Sequence, residues 1–476
     1  MARRYAPAVG DGAVEVEGDA GAGAAARSTG VGWSSVVLVA VTVAGVVMRF
    51  WDLGSPSSLF PDETYSAVTA SLPWSELWSH VRATDPHPPL SYLILKPLES
   101  LTTNEAWLRV PSSVAAAAAL VVFAWWQRRR SVEGIVAVAL FALSPLALFY
   151  GHQARMYGLM QLAGVVGAFA AARWRAQASR ALATVAAVAG LVASLSHATG
   201  FLLPIGLLLV AGLRRDRAAN EWRLAQALSL VVYGVLWGPA AAGWRGSSLY
   251  APLSLSNWTI TVNELVAPIP DNRIVVLPLL LAGAVVIATR RTADDVAWLS
   301  LVLAPLGIAT VLAFHTALFI PKTFVVVAWG PPMALAAFAA AVWQWRAPIG
   351  GLVIALTVLL LVAAVPHTFE SFGNAEPIAS RLEALVQDGD VVVSHPPGDM
   401  VPWYAGISRT SSPGPGLGLS DTYEIKVGTA PWTGRVWVVD ALYLEPPLAV
   451  DGPSCAPTEH PSSSWQIRCV ELGPAR

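Results

Sequence analysis

The sequence predicts a polytopic α-helical membrane protein with a small extracytoplasmic α/β domain at its C-terminal end. Composition is the first reason, because the 476 residues are 55% hydrophobic and only 13% charged, about half the charged fraction of a soluble globular protein. The second reason is a series of apolar stretches long enough to cross a bilayer. The third is that these stretches stop at Pro366, after which proline, glycine and polar residues dominate.

The N-terminal segment is predicted to be a disordered cytoplasmic tail over residues 1–30, because it is rich in Gly, Ala and acidic residues and has no apolar periodicity. The apolar stretch 33–50 follows Arg27 and lacks a small-residue cleavage site. We interpret it as a first membrane helix, not as a removed signal peptide. The net charge of −1 comes without a basic patch, so no nucleic-acid partner is expected.

About eleven membrane spans are predicted within a transmembrane module of residues 31–366, since a crossing helix needs roughly 17–25 apolar residues. The span at 200–213 is the shortest and is bounded by Gly200 and Pro204. The spans lie at 33–50, 110–127, 132–150, 156–172, 181–197, 200–213, 224–242, 274–289, 296–314, 324–343 and 348–365.

Arginine residues set the predicted orientation, because cytoplasmic loops are enriched in basic residues. They fall at every second connection, at Arg128–Arg130, Arg173, Arg175, Arg180, Arg214, Arg215, Arg217, Arg223, Arg290, Arg291 and Arg346. These loops and the N-terminus are therefore predicted to be cytoplasmic, and an odd number of crossings places the C-terminus outside the cell membrane. A disulfide between Cys455 and Cys469 is favoured in that compartment.

The first outer loop, residues 51–109, is long and is predicted to contain an amphipathic helix. Trp74, Leu77, Trp78 and Val81 follow the spacing of one helical face and are separated by polar residues. We interpret this helix as lying in the membrane interface. The alternative is a helix packed within a soluble layer, which has the same periodicity.

The extracytoplasmic domain, residues 367–476, is predicted to be a small α/β unit. A helix is expected over Arg381–Val386, and strands are expected over Val391–Ser394, Val436–Asp440 and Gln466–Leu472.

The adjacent carboxylates Asp62 and Glu63 are the leading candidates for chemistry, because charge beside the bilayer is costly and by default marks a functional site. The predicted topology places further polar side chains at the same membrane depth: Asp85, His87, Lys96, Arg155, Tyr157, His197 and Lys322. Arg and Lys neutralise phosphate oxygens, and a carboxylate can deprotonate an acceptor hydroxyl. One carboxylate and two cations suffice for an inverting glycosyl transfer from a lipid-linked phosphate.

Four sequence elements carry a resemblance to a known family. In chain order they are Leu59-Phe-Pro-Asp-Glu, Asp85-Pro-His-Pro-Pro-Leu, Glu105-Ala-Trp-Leu-Arg-Val-Pro-Ser and Gln153-Ala-Arg-Met-Tyr. The chain resembles the GT-C glycosyltransferases, and the nearest branch resembles the protein O-mannosyltransferases and the lipid A aminoarabinose transferases. The resemblance covers the chain to about residue 215. Beyond that point only the topology and the Lys322 region match.

The resemblance implies a polyprenyl-phosphate sugar donor, with mannose as the expected sugar, used at the outer face among membrane lipid. The acceptor would be a glycan, a lipid or a protein. Asp62 would be the catalytic base or the acceptor-orienting carboxylate, with Glu63 beside it. His87 and the pair Arg155 and Tyr157 would line the cavity. Lys322 falls where the family often has Arg before Tyr, but Thr323 and Phe324 follow it here.

No metal or other cofactor is expected. The histidines are scattered without the paired spacing of a zinc site. Some GT-C branches use a divalent ion, which here would bridge Asp62 and the donor phosphate. The mannosyl-type branch is metal-independent, and we therefore favour no metal.

Simpler roles and other functions remain as alternatives. Asp62 follows Pro61 and would cap a helix, Arg155 would extend its charge to the interface, and His197 would be a satisfied polar residue of the bundle. A transporter or flippase of a lipid-linked saccharide predicts broken helices and an inverted repeat, and the sequence indicates neither. A non-catalytic envelope assembly subunit would tolerate the loss of Asp62.

Overall fold

A computed structural model describes most of the membrane module and parts of the C-terminal domain. The described residues are 33–54, 59, 61–85, 87–102, 104–243, 254, 258, 273–313, 321–368, 376–387, 390–394, 424–425, 434–441, 449–450, 453–462 and 465–472. The tail predicted at residues 1–30 lies outside them.

Helices fill the described part of the membrane module. The residues between the apolar helices α1 and α5 form three of them, α2 to α4. The helices are α1 (Trp33–Met48), α2 (Pro61–Ser71), α3 (Trp74–Thr84), α4 (Leu90–Glu99), α5 (Glu105–Gln127), α6 (Ser131–Ala142), α7 (Pro145–His152), α8 (Tyr157–Ala176), α9 (Arg180–Ser196), α10 (Leu202–Val210), α11 (Arg217–Gly243), α12 (Arg273–Arg290), α13 (Ala293–Leu312), α14 (Gly330–Trp345) and α15 (Ala347–Thr368).

By length and composition, three described helices can cross a membrane: Glu105–Gln127, Arg217–Ala241 and Ala293–Leu312. The number rises to five if each of two bent helix pairs forms one span. Each predicted span overlaps one or two helices, but α10 has nine residues and is therefore about 14 Å long, under half the apolar thickness of a bilayer. The count of eleven and the orientation stay predictions.

The expectation of unbroken helices is wrong at two places. α6 and α7 meet at 45° within the predicted span 132–150, where Ser144 caps α7 by accepting the Ala147 amide and Pro145 occupies the first turn. The 3₁₀ helix Pro321–Val327 meets α14 at 64°, and prolines again begin the new helix. A Ser-Pro or Gly-Pro pair inside an apolar stretch is the signal for such a break.

The buried Arg49 stabilises the first break. Its guanidinium donates to the carbonyl oxygens of Gly45 at 2.9 Å and Phe141 at 3.3 Å. These bonds satisfy helix-end carbonyls that would otherwise lack partners.

The amphipathic helix predicted from Trp74 to Val81 is confirmed as α3. Leu77 and Val81 are buried in a cluster with Trp237, whereas Trp74 remains 63% exposed. The helix therefore packs by one part of its apolar face and presents tryptophan on the other. Its location in the membrane interface stays a prediction.

The centre of the bundle is α8, which packs against α5, α9 and the 3₁₀ helix Pro321–Val327. Gly164 makes the last contact possible, because a Cβ there would lie 1.7 Å from the Val326 carbonyl oxygen. The absence of a side chain thus brings the segment that carries Lys322 onto α8.

We expect Gly164→Ala to destabilise the protein by about 1–3 kcal/mol or more, because the new methyl group overlaps backbone that cannot move aside. Gly234→Ala is the matched control, since nothing lies within 4 Å of its added Cβ and alanine is the better helix former. Thermal unfolding of the purified protein in detergent measures both. Equal unfolding temperatures for the two variants would contradict the close approach.

The C-terminal domain contains the predicted α/β elements. Helix α16 (Glu376–Leu385) contacts a four-stranded sheet of order β1-β3-β6-β5. β1 runs parallel to β3, and the other neighbours are antiparallel. The strands are β1 (Val391–Ser394), β2 (Glu424–Ile425), β3 (Gly434–Ala441), β4 (Ala449–Val450), β5 (Ser454–Ser462) and β6 (Trp465–Leu472), with β2 and β4 paired separately.

Strand β5 was not predicted, because it contains Pro457 and Pro461. Proline lacks the amide that a central strand needs, but β5 lies at the edge of the sheet, where proline is tolerated. The predicted disulfide is confirmed and joins β5 to β6 through Cys455 and Cys469, whose Cα atoms are 5.2 Å apart. The placement of this domain outside the cytoplasm stays a prediction.

Candidate active site

The two adjacent acids begin α2 and have different partners. Both lie in the first helical turn, and consecutive helical residues point about 100° apart. The Asp62 carboxylate accepts a hydrogen bond from Lys322 Nζ at 3.3 Å and its side chain is 37% exposed. The Glu63 side chain is 2% exposed. Only Asp62 is therefore open to a substrate.

The Glu63 carboxylate holds three parts of the chain together. It accepts two hydrogen bonds from the Arg109 guanidinium, at 2.9 and 3.0 Å, and one from the Ala154 amide at 2.7 Å. Arg109 also donates to the Leu53 carbonyl at 2.8 Å. A bidentate, charge-assisted pair of this kind fixes orientation as well as distance. It anchors α2 to α5 and to the turn that carries Arg155.

Arg155 is buried, and its direct partners are neutral. Nη1 donates to Ser66 Oγ at 2.8 Å and to the Tyr92 hydroxyl at 3.3 Å. Nε is buried without a hydrogen-bond partner. Within the described part of the chain, no carboxylate forms an ion pair with this guanidinium, although Asp62 and Asp85 both act on it electrostatically.

Burial opposes ionisation of Asp62, but the charges of Arg155 and Lys322 outweigh it and hold the pKa of Asp62 below its ordinary value. The carboxylate is therefore ionised at neutral pH. Asp62, Lys322 and Arg155 form one electrostatic unit, although Lys322 follows Asp62 by 260 residues.

The Asp-Pro-His-Pro-Pro segment folds around the Asp85 carboxylate. It accepts the His87 amide at 2.8 Å and the Tyr92 hydroxyl. Burial raises the pKa of Asp85 above its ordinary value, although Arg155 and the two hydrogen bonds oppose the shift. Pro88 and Pro89 follow His87 and restrict the backbone there, so Asp85 and its partners support Arg155 from one side.

His87 and His197 stack, with ring centroids 4.2 Å apart. His87 Nδ1 accepts the Ala198 amide at 3.2 Å, and His197 Nδ1 accepts the Thr199 amide at 3.1 Å. These bonds assign the proton of each neutral ring to Nε2. Burial is the main cause that holds the pKa of His87 well below its ordinary value, and His197, Arg155 and Lys322 lower it further. His197 Nε2 is buried without a partner.

Two contacts connect the Lys322 segment and Tyr157 to the stacked pair of His87 and His197. Thr199 Oγ1 donates to the nearby His197 Nδ1 at 2.8 Å and lies 3.4 Å from the Thr323 carbonyl oxygen, next to Lys322. Tyr157 is the first residue of α8, and its ring centroid lies 5.9 Å from that of His197. The Tyr157 hydroxyl is buried without a hydrogen-bond partner.

A cleft opens beside Arg155 between α4, α5 and the start of α8. The lining combines three serine hydroxyls and Arg155 with a larger apolar wall: Ser66, Ser91, Ile94, Leu95, Leu108, Pro111, Ser112, Ala154, Arg155 and Leu159. Such a cleft suits a ligand with a polar end and an apolar body.

Among the residues that the structure describes, no group of three or more His, Cys, Asp or Glu side chains is arranged to hold a metal ion. The expectation of a metal-free site stays an expectation.

Comparison with known proteins adds the fold. No family model and no curated protein matches the sequence. Among solved structures, the chain is similar to ArnT from Cupriavidus metallidurans in the apo state, with 14% sequence identity, a TM-score of 0.56 and coverage of 91% of this chain and 97% of that chain. The chain has the GT-C fold. ArnT from the same organism bound to undecaprenyl phosphate matches with 17% identity, the same coverage and a TM-score of 0.48.

The GT-C resemblance seen in the sequence is thereby confirmed for the fold. On this GT-C framework the predicted residues Asp62, His87, Arg155, Tyr157, His197 and Lys322 form one connected group through the contacts above. Glu63 lies behind this group, and Lys96 donates instead to the Ala70 carbonyl at the end of α2. The catalytic and binding roles stay predictions.

Several residues that support this group are not singled out by the sequence. Asp85 belongs to the first long loop and Arg109 to one of the four motifs, but neither position by itself indicates a supporting role. Tyr92 and Ser66 gave no usable signal. Only the position of Ser66 one helical turn after Asp62 indicates that the two side chains share a face.

Proposed function

We propose that this protein is an integral-membrane glycosyltransferase that moves a sugar from a polyprenyl phosphate to an acceptor at the outer face of the membrane. The observation that carries the proposal is the buried Arg155, which has no directly paired carboxylate and lies in one electrostatic unit with Asp62 and Lys322. A buried charge without a counter-charge is costly. A phosphate group would supply the missing charge and accept the hydrogen bonds.

Three buried polar atoms support an anionic ligand. Arg155 Nε, the Tyr157 hydroxyl and His197 Nε2 have no hydrogen-bond partner among the described atoms, and each can donate a hydrogen. A phosphate offers acceptors in several directions, so it would satisfy donors that the protein leaves open. The apolar wall of the cleft beside Arg155 would hold the first part of the prenyl chain.

In the proposed reaction, Asp62 removes the proton of the acceptor hydroxyl as the hydroxyl oxygen attacks the anomeric carbon. The bond from that carbon to the phosphate oxygen breaks, and its electron pair leaves with the polyprenyl phosphate. Lys322 and Arg155 stabilise the charge that develops on the phosphate. Attack opposite the leaving group inverts the anomeric centre. Mannose is the expected sugar, and the acceptor is a glycan, a lipid or a protein.

The transporter alternative has one observation in its favour, because the bent pairs 132–152 and 321–345 are helices of the broken kind. The pair 321–345 brings Lys322 to Asp62, however, and a lysine at that position serves a phosphate site equally well. Transfer and translocation are separable by experiment.

The test is sugar transfer from a panel of radiolabelled polyprenyl-phosphate sugars in membranes that contain the protein. We expect transfer from one donor, and we expect Lys322→Met to raise the donor KM by about 10-fold or more, because a charge-assisted contact to phosphate is lost. Lys96→Met is the matched control and should leave the donor KM unchanged, since Lys96 contacts the carbonyls of Ala70 and Leu72 at and just after the end of α2.

Binding of undecaprenyl phosphate to the purified protein is measured in parallel, so that a missing acceptor does not obscure the result. Absence of both transfer and binding would overturn the proposal. Movement of the intact labelled lipid across proteoliposomes, without transfer, would instead favour the transporter.

A further inference from the structure

Arg155 is supported from behind by a hydroxyl and a carboxylate that the proposed reaction does not use. The Tyr92 hydroxyl accepts a hydrogen bond from Arg155 Nη1 at 3.3 Å and donates its own hydrogen to Asp85. Asp85 is fixed in turn by the His87 amide at 2.8 Å. The chain of contacts therefore runs from the loop backbone, through a buried carboxylate and one hydroxyl, to the guanidinium.

Close packing holds the Tyr92 ring in this position. It is 0% exposed and packs with Leu77 and Val81 of α3, and Tyr65 contacts it edge-to-face at 6.3 Å between centroids. On the other side of Arg155, Ser66 belongs to the helix that begins with Pro61 and Asp62. Arg155 Nη1 is thus held between the helix of the proposed base and a rigid aromatic side chain.

The distance between the Asp85 carboxylate and the Arg155 guanidinium matters, because it determines how close the negative charge lies to the donors that would bind a phosphate. A carboxylate in direct contact with Arg155 would form a bidentate pair and compete with a phosphate for the same donors. Tyr92 places the Asp85 charge one hydroxyl farther away, where that charge still stabilises the buried cation. The Tyr92 hydroxyl itself occupies only one nitrogen atom of the guanidinium, Nη1.

We propose that Tyr92 and Asp85 are positioning residues that fix the Arg155 guanidinium for an anionic phosphate and keep its remaining donors free. This inference rests on the proposed function. It assigns Tyr92 a specific task, which is to set the affinity for the donor phosphate through Arg155, without contact to the sugar or the acceptor. Asp85 orients the Tyr92 hydroxyl and adds a more distant electrostatic effect on Arg155.

The experiment compares wild type, Tyr92→Phe, Asp85→Asn, the double variant and Arg155→Gln. Dissociation constants for undecaprenyl phosphate and KM values for donor and acceptor are the readouts. We expect Tyr92→Phe to weaken undecaprenyl phosphate binding about 10-fold and to raise the donor KM, with an unchanged acceptor KM. The double variant should lose less affinity than the sum of the two single losses, because two members of one relay are not additive.

Tyr233→Phe is the matched control, since it removes a hydroxyl from the same buried cluster, where that group lies 3.4 Å from the Ala198 carbonyl. It should leave phosphate binding unchanged. Unfolding temperatures show whether any variant has simply lost its fold, and Asp85→Asn, which keeps the side-chain volume, provides a second route if Tyr92→Phe does not fold.

Two results would overturn the relay while the proposed function stands. One is phosphate affinity within about twofold of wild type in Tyr92→Phe when Arg155→Gln binds weakly. The other is an additive double variant, which would mean that Asp85 and Tyr92 act separately. Unchanged binding in Arg155→Gln would overturn the phosphate site itself, and the relay with it.

Discussion

Asp62→Asn is expected to reduce sugar transfer by about 10²–10⁴-fold, the usual contribution of a general base, while the protein still folds and binds undecaprenyl phosphate. The amide keeps the size of the carboxylate but cannot take a proton. It also weakens the 3.3 Å contact that Lys322 makes with Asp62, because a neutral amide oxygen accepts less strongly than a carboxylate. Phosphate binding should therefore persist as turnover is lost. Initial rates and lipid binding, measured on the same preparations, separate the two effects.

Asp52→Asn is the matched control, because it makes the same chemical change in the same outer loop at an exposed side chain. Its backbone has a φ of 57°, which asparagine also tolerates. Transfer should be unchanged in this variant. Wild-type turnover in Asp62→Asn would remove Asp62 from the mechanism and favour the non-catalytic subunit.

Glu63→Gln is expected to destabilise the protein by about 3–5 kcal/mol, because it leaves the buried Arg109 without its counter-charge. The effect should appear as a lower yield of folded protein and a lower unfolding temperature in detergent. Any loss of transfer should follow the loss of folded protein, since both Glu63 oxygens are engaged by Arg109 and one of them also accepts the Ala154 amide.

The double variant Glu63→Gln with Arg109→Met distinguishes a scaffold from a catalytic acid. Removing both charges abolishes the unpaired cation, and such replacements are often tolerated. We expect much of the stability lost in Glu63→Gln to return, together with transfer per folded molecule. A folded double variant without transfer would instead make Glu63 a participant in the chemistry.

The sequence located the acidic pair but did not distinguish its two members. Asp62 and Glu63 are adjacent, and both stand out for the same reason, which is charge beside the bilayer. Their environments differ through Lys322 and Arg109, which lie 260 and 46 residues farther along the chain. Only the packing of α2 against α5 and the 3₁₀ helix determines which acid is buried.

The other differences between the sequence-based prediction and the structure also have local causes. Apolar periodicity predicts a helix over 132–150 but gives no angle, and the break at Ser144 depends on a cap and a proline. Tyr92 was overlooked because a tyrosine on an amphipathic helix usually belongs to a core. Its hydroxyl acquires a role only from Asp85 and Arg155. The fold, by contrast, followed from repeated apolar stretches and four motifs, which are signals spread over many residues.

The contact between Lys322 and Asp62 bears on the order in which substrates would act. While the charges of Arg155 and Lys322 both act on the carboxylate, the pKa of Asp62 stays low, and a weak base leaves both water and acceptor hydroxyls untouched. An arriving donor phosphate would draw Lys322 away and raise the basicity of Asp62 at the moment a leaving group is present. Under the proposed function, turnover would then follow compulsory-order kinetics with the lipid first, and the donor would be protected from wasteful hydrolysis.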